Sequence, residues 1–293
     1  MSEHMAIRIS SARLRPLLFS FAVLTGLVPN FAASDPPTSE HGRVLPISSA
    51  LCEDMKLHHV LNPRAPVGCE RLKLIKFEYF GFDGRSHDDG EMVIMDATAG
   101  HVLGIFDALR SMQFPIAKAR LMNNYDGNDD ASMADNNTSA FNVREIAGGG
   151  AVSLHAYGLA IDINPIQNPY AKRSGRTLTF SPPAGAAYAN RLNERPGKAV
   201  RPGMAEAVID VFAENGFLIW GGYWDDPIDY QHFQVSRGLA QQLAQMPAAQ
   251  AQALFEERIQ RYRRCRSAAD QGRASRLHCI TAERSDSRDS EWE

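Results

Sequence analysis

No CxxC pair occurs among the four cysteines of this 293-residue chain, so a thiolate-held structural zinc has no support in the sequence. No apolar run is comfortably long enough for a bilayer span, since Leu17 to Val28 falls short of about 20 residues. A large charge of one sign is also missing. The formal net charge of -3 gives no reason to expect nucleic acid, or an acidic membrane surface, as the main partner. There is no internal repeat, which sets solenoids and propellers aside.

What is present begins with an export pattern over residues 1–34. Arg8, Arg13 and Arg15 precede the apolar run, and Ala32, Ala33 and Ser34 offer a region for cleavage. This signal predicts a periplasmic or extracellular protein with no membrane span once it is removed. An even number of cysteines suits that compartment and points to disulfides. Four cysteines allow three pairings, of which Cys52 with Cys69 and Cys265 with Cys279 is the most local.

Residues 35–70 read as a Pro/Ser-rich linker followed by a disulfide-clipped N-terminal extension. The domain proper is expected over 71–236, a helical extension over 237–281 and a disordered tail over 282–293. Within the domain, Leu72 to Phe82 and EMVIMD read as a strand pair joined by turn chemistry. Val102, Ile105, Phe106 and Leu109 then recur at helical spacing, and Pro115 follows as a stop. IAKARLM reads as a strand.

The polar stretch after it opens like an EF-hand loop, with Asp126, Asn128 and Asp130. Ala131 stands where that motif needs glycine, and Asn137 where it needs glutamate. His58, His59 and His87 read as surface histidines. NPYAKRSGRTLTFSPPAG reads as a surface excursion, MAEAVIDVFAENGF as a helix stopped by Gly216, and 239–265 as one long helix. The order of elements predicts an α+β fold with a small, largely antiparallel sheet flanked by helices.

Two motifs carry the chemistry. In SLHAYGLAIDINP, Leu159, Ile161 and Ile163 alternate with Ala160, Asp162 and Asn164, so Asp162 projects from a strand opposite its apolar face. His155 stands seven residues before Asp162. Two such positions in one straight strand would face opposite ways, so the chain must bend, and Gly158 is the residue that tolerates a bend. In PIDYQHFQVS, Tyr230, His232 and Gln234 share a face, with Asp229 three residues before His232. Two imidazoles and a carboxylate suit a zinc ion that keeps one position open, with Asp229 as a general base beside it.

SxHxxGxAxD at Ser153–Asp162 with DxxH at Asp229–His232 resembles the zinc D-alanyl-D-alanine carboxypeptidase and L-alanyl-D-glutamate peptidase family. That group includes vancomycin-resistance carboxypeptidases, phage endolysin peptidases and, by fold, the hedgehog signalling domain. NNTSAFNVR, INPIQNPY and GFLIWGGYW add to the similarity, which runs from about Ala119 to Val235.

The resemblance implies Zn2+ held by His155, Asp162 and His232, with Asp229 as catalytic base. It implies an Arg144 that steadies substrate oxygen, with Ser153 as a substrate contact or the residue that sets the turn, and with Trp220 and Trp224 as cleft walls or core aromatics. Many relatives use Glu as the base, and the shorter Asp229 demands a closer approach. The implied substrate is a peptidoglycan stem peptide. D-alanyl-D-alanine carboxypeptidase activity is the leading expectation; L-alanyl-D-glutamate cleavage and a non-catalytic zinc-containing wall-binding module are the alternatives. GGG at 148–150 is a candidate hinge.

Overall fold

The computed structural model describes Met1 and residues 38–146, 149–268 and 273–286. The expected export signal, Met1 apart, and residues 287–293 of the expected tail lie outside the described residues. In chain order the elements are β1 (Thr38–Ser39), β2 (Gly42–Pro46), α1 (Ser49–Leu57), β3 (Leu72–Gly81), β4 (Ser86–Met95), α2 (Ala99–Ser111), β5 (Pro115–Ile116) and α3 (Asp129–Ala134). They continue with β6 (Ala160–Asp162), β7 (Tyr170–Ser174), β8 (Thr177–Ser181), α4 (Ile209–Glu214), β9 (Ile219–Trp220), β10 (Ile228–Asp229) and β11 (His232–Gln234). Helices α5 (Arg237–Gln245), α6 (Ala248–Ala268) and α7 (Arg273–Asp286) close the chain.

The α+β class and the antiparallel bias are as expected, but the strands divide into three sheets. One runs β1-β2-β3-β4 with β5 parallel to the end of β3; the others are β10-β7-β8 and β6-β11-β9. Leu72, Ile75, Phe77 and Tyr79 of β3 are buried, and α2 lays Val102, Ile105, Phe106 and Leu109 in the same core. Phe106 stacks on Phe77 with ring centroids 3.9 Å apart. Fully burying such side chains contributes about 1.5–3 kcal/mol each.

The described end of the stretch read as linker, residues 38–43, enters the first sheet as β1 and the start of β2. Strand β2 pairs along β3 from Gly42↔Phe77 to Pro46↔Lys73, and Val44 and Met55 are buried. A Cβ at Gly42 would lie 2.5 Å from Leu103 Cδ1 and 2.8 Å from the Lys76 carbonyl, so strand and helix approach there as closely as glycine permits.

The expected single helix over 239–265 is two helices, broken at Met246 and Pro247, because proline lacks the N–H that would continue the first. Both belong to the main core through Leu239, Leu243, Phe255 and Ile259. Arg71 fastens the break, donating to the carbonyls of Leu243, Ala244 and Met246 while it pairs with Asp96. Residues 282–286, assigned from sequence to the tail, finish α7. Of IAKARLM only Ile116 lies in β5, and its last residue, Met122, already opens a 3-10 turn of the polar segment. The disulfides are Cys52–Cys69 and Cys265–Cys279, the local pairing.

Candidate metal centre

The first motif bends where glycine was needed. Ser153 starts a 3-10 turn over Leu154–Tyr157 and accepts the His155 N–H at 3.3 Å, and Gly158 ends the turn with φ +66°. A Cβ at Gly158 would lie 2.7 Å from Met95 N and 3.0 Å from Ile94 C. The turn points His155 back at β6, which carries Asp162.

The second motif spans two sheets. Asp229 sits on β10, register partner of Tyr170 on β7, whereas His232 starts β11 as register partner of Asp162. Tyr230 and Gln231 make the crossing between them, and three hydrogen bonds pin it. Ile163 N–H donates to the Gln231 carbonyl at 3.1 Å, Tyr230 N–H to Pro169 at 3.4 Å, and Trp220 Nε1 to Tyr230 at 2.8 Å. Arg191 lies over the Tyr230 ring at 4.3 Å. Behind His232, Phe233 stacks on Phe212 at 3.8 Å and is fully buried.

The result is a compact set of donors. His155 Nε2 lies 3.0 Å from Asp162 Oδ2, His232 Nδ1 lies 2.9 Å from Asp162 Oδ1, and the two nitrogens are 3.2 Å apart. His155, Asp162 and His232 are 1%, 3% and 6% exposed. Water therefore does little to solvate them, and their charges must be balanced locally.

The opposite ring nitrogens decide the tautomers. His155 Nδ1 donates to the Ala140 carbonyl at 2.6 Å, and His232 Nε2 donates to Gln234 Oε1 at 2.7 Å. Each neutral ring then turns a lone pair toward Asp162, so two imidazole lone pairs and a carboxylate converge. Only a cation or a proton reconciles three such acceptors at these separations. Among the described residues this is the one group of three or more His, Cys, Asp or Glu side chains that could hold a metal ion. The donor set and its oriented outer partners fit such an ion.

The electrostatics agree. Burial would raise the Asp162 carboxyl, but His155 and His232 outweigh it and hold the group well below the usual carboxylate range. Burial would lower His232, yet the hydrogen bond and charge of Asp162 turn its shift upward.

Asp229 contrasts with Asp162. Burial, and then the charge of Asp162, push it up to about 7, against the pull of His232 and Arg144. Its Oδ1 is buried without a hydrogen-bond partner. A carboxylate oxygen left open beside three converging donors is a reservoir for a proton.

The remaining sequence candidates divide. Trp224 stands beside the centre, its ring 5.5 Å from that of His232, whereas Trp220 packs on Phe233 in the core. Arg144 pairs with Asp129 at 2.9 Å, at the start of α3. Its charge still acts on Asp229 and Tyr170. The EF-hand-like side chains are used otherwise: Asp126 bonds to His58 at 2.6 Å, and Asn128 caps α3. His87 bonds to Asp83 and stacks on Tyr79 at the surface. In the GGG stretch, Gly148 lies outside the described residues; Gly149 and Gly150 have φ of +82° and +97°.

Sequence reasoning missed two partners of the histidines. The Ala140 carbonyl leaves no side-chain signature. Gln234 was legible only as a residue on the His232 face, two positions on.

An α+β domain with two imidazoles and one carboxylate converging beside a second carboxyl group, bonded to Gln231 but with its Oδ1 unpartnered, has the donor set of a hydrolytic metal site. The comparison with protein families names the group: residues 147–235, less than a third of the chain, match the family model of D-alanyl-D-alanine carboxypeptidase. The match takes in both motifs and agrees with the resemblance drawn from them. No curated protein and no solved structure matches the chain. Among the described residues, no helix is long and apolar enough to cross a membrane.

Proposed function

We propose that the protein is a zinc-dependent peptidase of peptidoglycan stem peptides, acting as a D-alanyl-D-alanine carboxypeptidase. The observation that carries this reading is the pairing of three converging donors with the buried, unpartnered Oδ1 of Asp229. His155, Asp162 and His232 would hold the zinc. When bound, the ion polarises a carbonyl and acidifies water.

The rest is done by the chain. Asp229 accepts the proton of the attacking water at its open oxygen and returns it to the leaving amine. An elevated affinity for protons suits a group that must take one up near neutral pH. Trp224 walls the substrate and excludes water on the His232 side. Ser153 sets the turn that aims His155. Arg144 exchanges its Asp129 partner for a substrate carboxylate or carbonyl, for which a guanidinium provides paired donors. Export to the periplasm or the cell exterior places the protein with this substrate.

A non-catalytic wall-binding module would have no use for Asp229 in that position, which favours the enzyme. Purified protein incubated with muropeptides, with and without a chelator, tests the proposal by mass spectrometry of the products. Loss of one alanine, abolished by the chelator, is expected. Cleavage between L-alanine and D-glutamate would reassign the bond, and intact muropeptides at every pH with zinc added would overturn the peptidase reading.

A further inference from the structure

A net charge of -3 for the whole chain conceals a strong local surplus of the opposite sign. Residues 170–201 hold Lys172, Arg173, Arg176, Arg191, Arg195, Lys198 and Arg201 against a single acid, Glu194. Lys172, Arg173, Arg176 and Lys198 are exposed. Among the described residues only Arg191 of these seven forms an ion pair, with Glu206. Asp226 also reaches this region, but its carboxylate accepts the backbone N–H of Arg173 rather than the guanidinium.

The segment is built rather than loose. Strands β7 and β8 pair from Tyr170↔Ser181 to Ser174↔Thr177, leaving Arg176 in the turn. The following loop is closed by Arg201, which donates to the Asn190 carbonyl at 2.8 Å and lies 5.2 Å over the Tyr188 ring.

Its position links it to the metal centre. Strand β7 lies between β8 and β10, and Tyr170 is the register partner of Asp229. At ordinary strand spacings and rises, the exposed cations of the hairpin lie roughly 10–20 Å from Asp229. Unpaired cations at that distance attract an extended polyanion whose reactive part has reached the site, and they do little for a small molecule.

We propose that the β7–β8 hairpin, with Lys172, Arg173 and Arg176, is a docking surface for the peptidoglycan strand itself, gripping the free carboxylates of stem peptides neighbouring the one in the site. The inference rests on the peptidase reading for its choice of polymer. It adds that the preferred substrate is polymeric rather than a free peptide.

The experiment is co-sedimentation of the full chain with purified insoluble peptidoglycan, with salt raised from about 0.05 to about 0.5 M. Phosphatidylglycerol vesicles and double-stranded DNA serve as alternative polyanions. The wild type is expected to pellet with peptidoglycan and to be released by salt. The triple variant Lys172→Glu, Arg173→Glu, Arg176→Glu should bind about tenfold more weakly or worse, while hydrolysing a short soluble stem peptide as fast as the wild type. Should the reversed charges lower the melting temperature, Lys172→Gln, Arg173→Gln, Arg176→Gln makes the same comparison. Equal binding by variant and wild type, or wild-type binding to vesicles or DNA in place of peptidoglycan, would overturn the proposal. Binding is read without turnover, so a wild type that cleaves nothing would bring down the peptidase reading separately.

Discussion

Asp162 Oδ1 lies 2.9 Å from His232 Nδ1 although 70 residues separate the two, because they are register partners on the antiparallel strands β6 and β11. A one-residue slip in that register would turn His232 to the other face and dissolve the centre. The centre is thus a property of strand pairing, and its partners can be probed one at a time.

The Gln234 amide fixes the tautomer of His232 from behind. Gln234→Leu is expected to weaken zinc affinity roughly 10–100-fold, the range for losing a partner that orients a ligand. Asp162→Ala removes a donor and should cost more. Competition with a chromophoric chelator measures both. A Gln234→Leu protein that binds zinc as tightly as the wild type would show that the hydrogen bond orients nothing of consequence.

Asp229 stands apart from the donors in the second sheet. Asp229→Asn should retain bound zinc yet lower kcat roughly 10²–10⁴-fold, the usual contribution of a positioned general base. Metal content by atomic emission and turnover on a stem peptide, measured on the same sample, separate the two effects. Undiminished turnover would remove Asp229 from the chemistry.

Gly158 is held at φ +66° against the backbone of Ile94 and Met95. Gly158→Ala carries roughly 1–3 kcal/mol of backbone strain, and its Cβ meets backbone that cannot move aside cheaply. A lower melting temperature and weaker zinc binding are expected together, since the bend aims His155. Stability and zinc affinity both equal to wild type would refute the bend as a requirement.

His58 ties α1 to the polar segment through Asp126 at 2.6 Å and Asp54 at 3.4 Å. The hydrogen bond to Asp126 is the main cause of a pKa raised above the ordinary 6.5. Folding therefore favours the protonated ring. Its contribution is complete below pH 6.5 and is lost as pH rises through the elevated value. NMR titration of the His58 ring should show the elevation, and Asp126→Asn should reverse most of it. A His58 that titrates at 6.5 in the wild type would contradict this.

Much of the local structure was legible in the sequence. Alternation revealed β3, helical spacing revealed α2, and an unbroken strand could not have brought His155 to Asp162 without a bend. Pro247 was equally visible, yet the Ala/Gln-rich composition around it outweighed the break it imposes. The part played by residues 38–57 was harder to see. Their strands are short and carry few apolar residues, and only pairing with β3 gives them a place in the core. The hairpin of β7 and β8 was obscured in the same way, because its side chains are mostly polar and its partner β10 is two residues long.

By itself, then, the sequence determined the donor types, the glycine bend and the two motifs, because these follow from side-chain chemistry and local backbone geometry. The tertiary structure decided that the motifs meet, that Asp229 and His232 hang from different sheets, that Gln234 and the Ala140 carbonyl set the histidine tautomers, and that the β7–β8 hairpin pairs with the strand of Asp229. Those outcomes depend on register and on contacts between residues far apart in the chain, which no local pattern encodes.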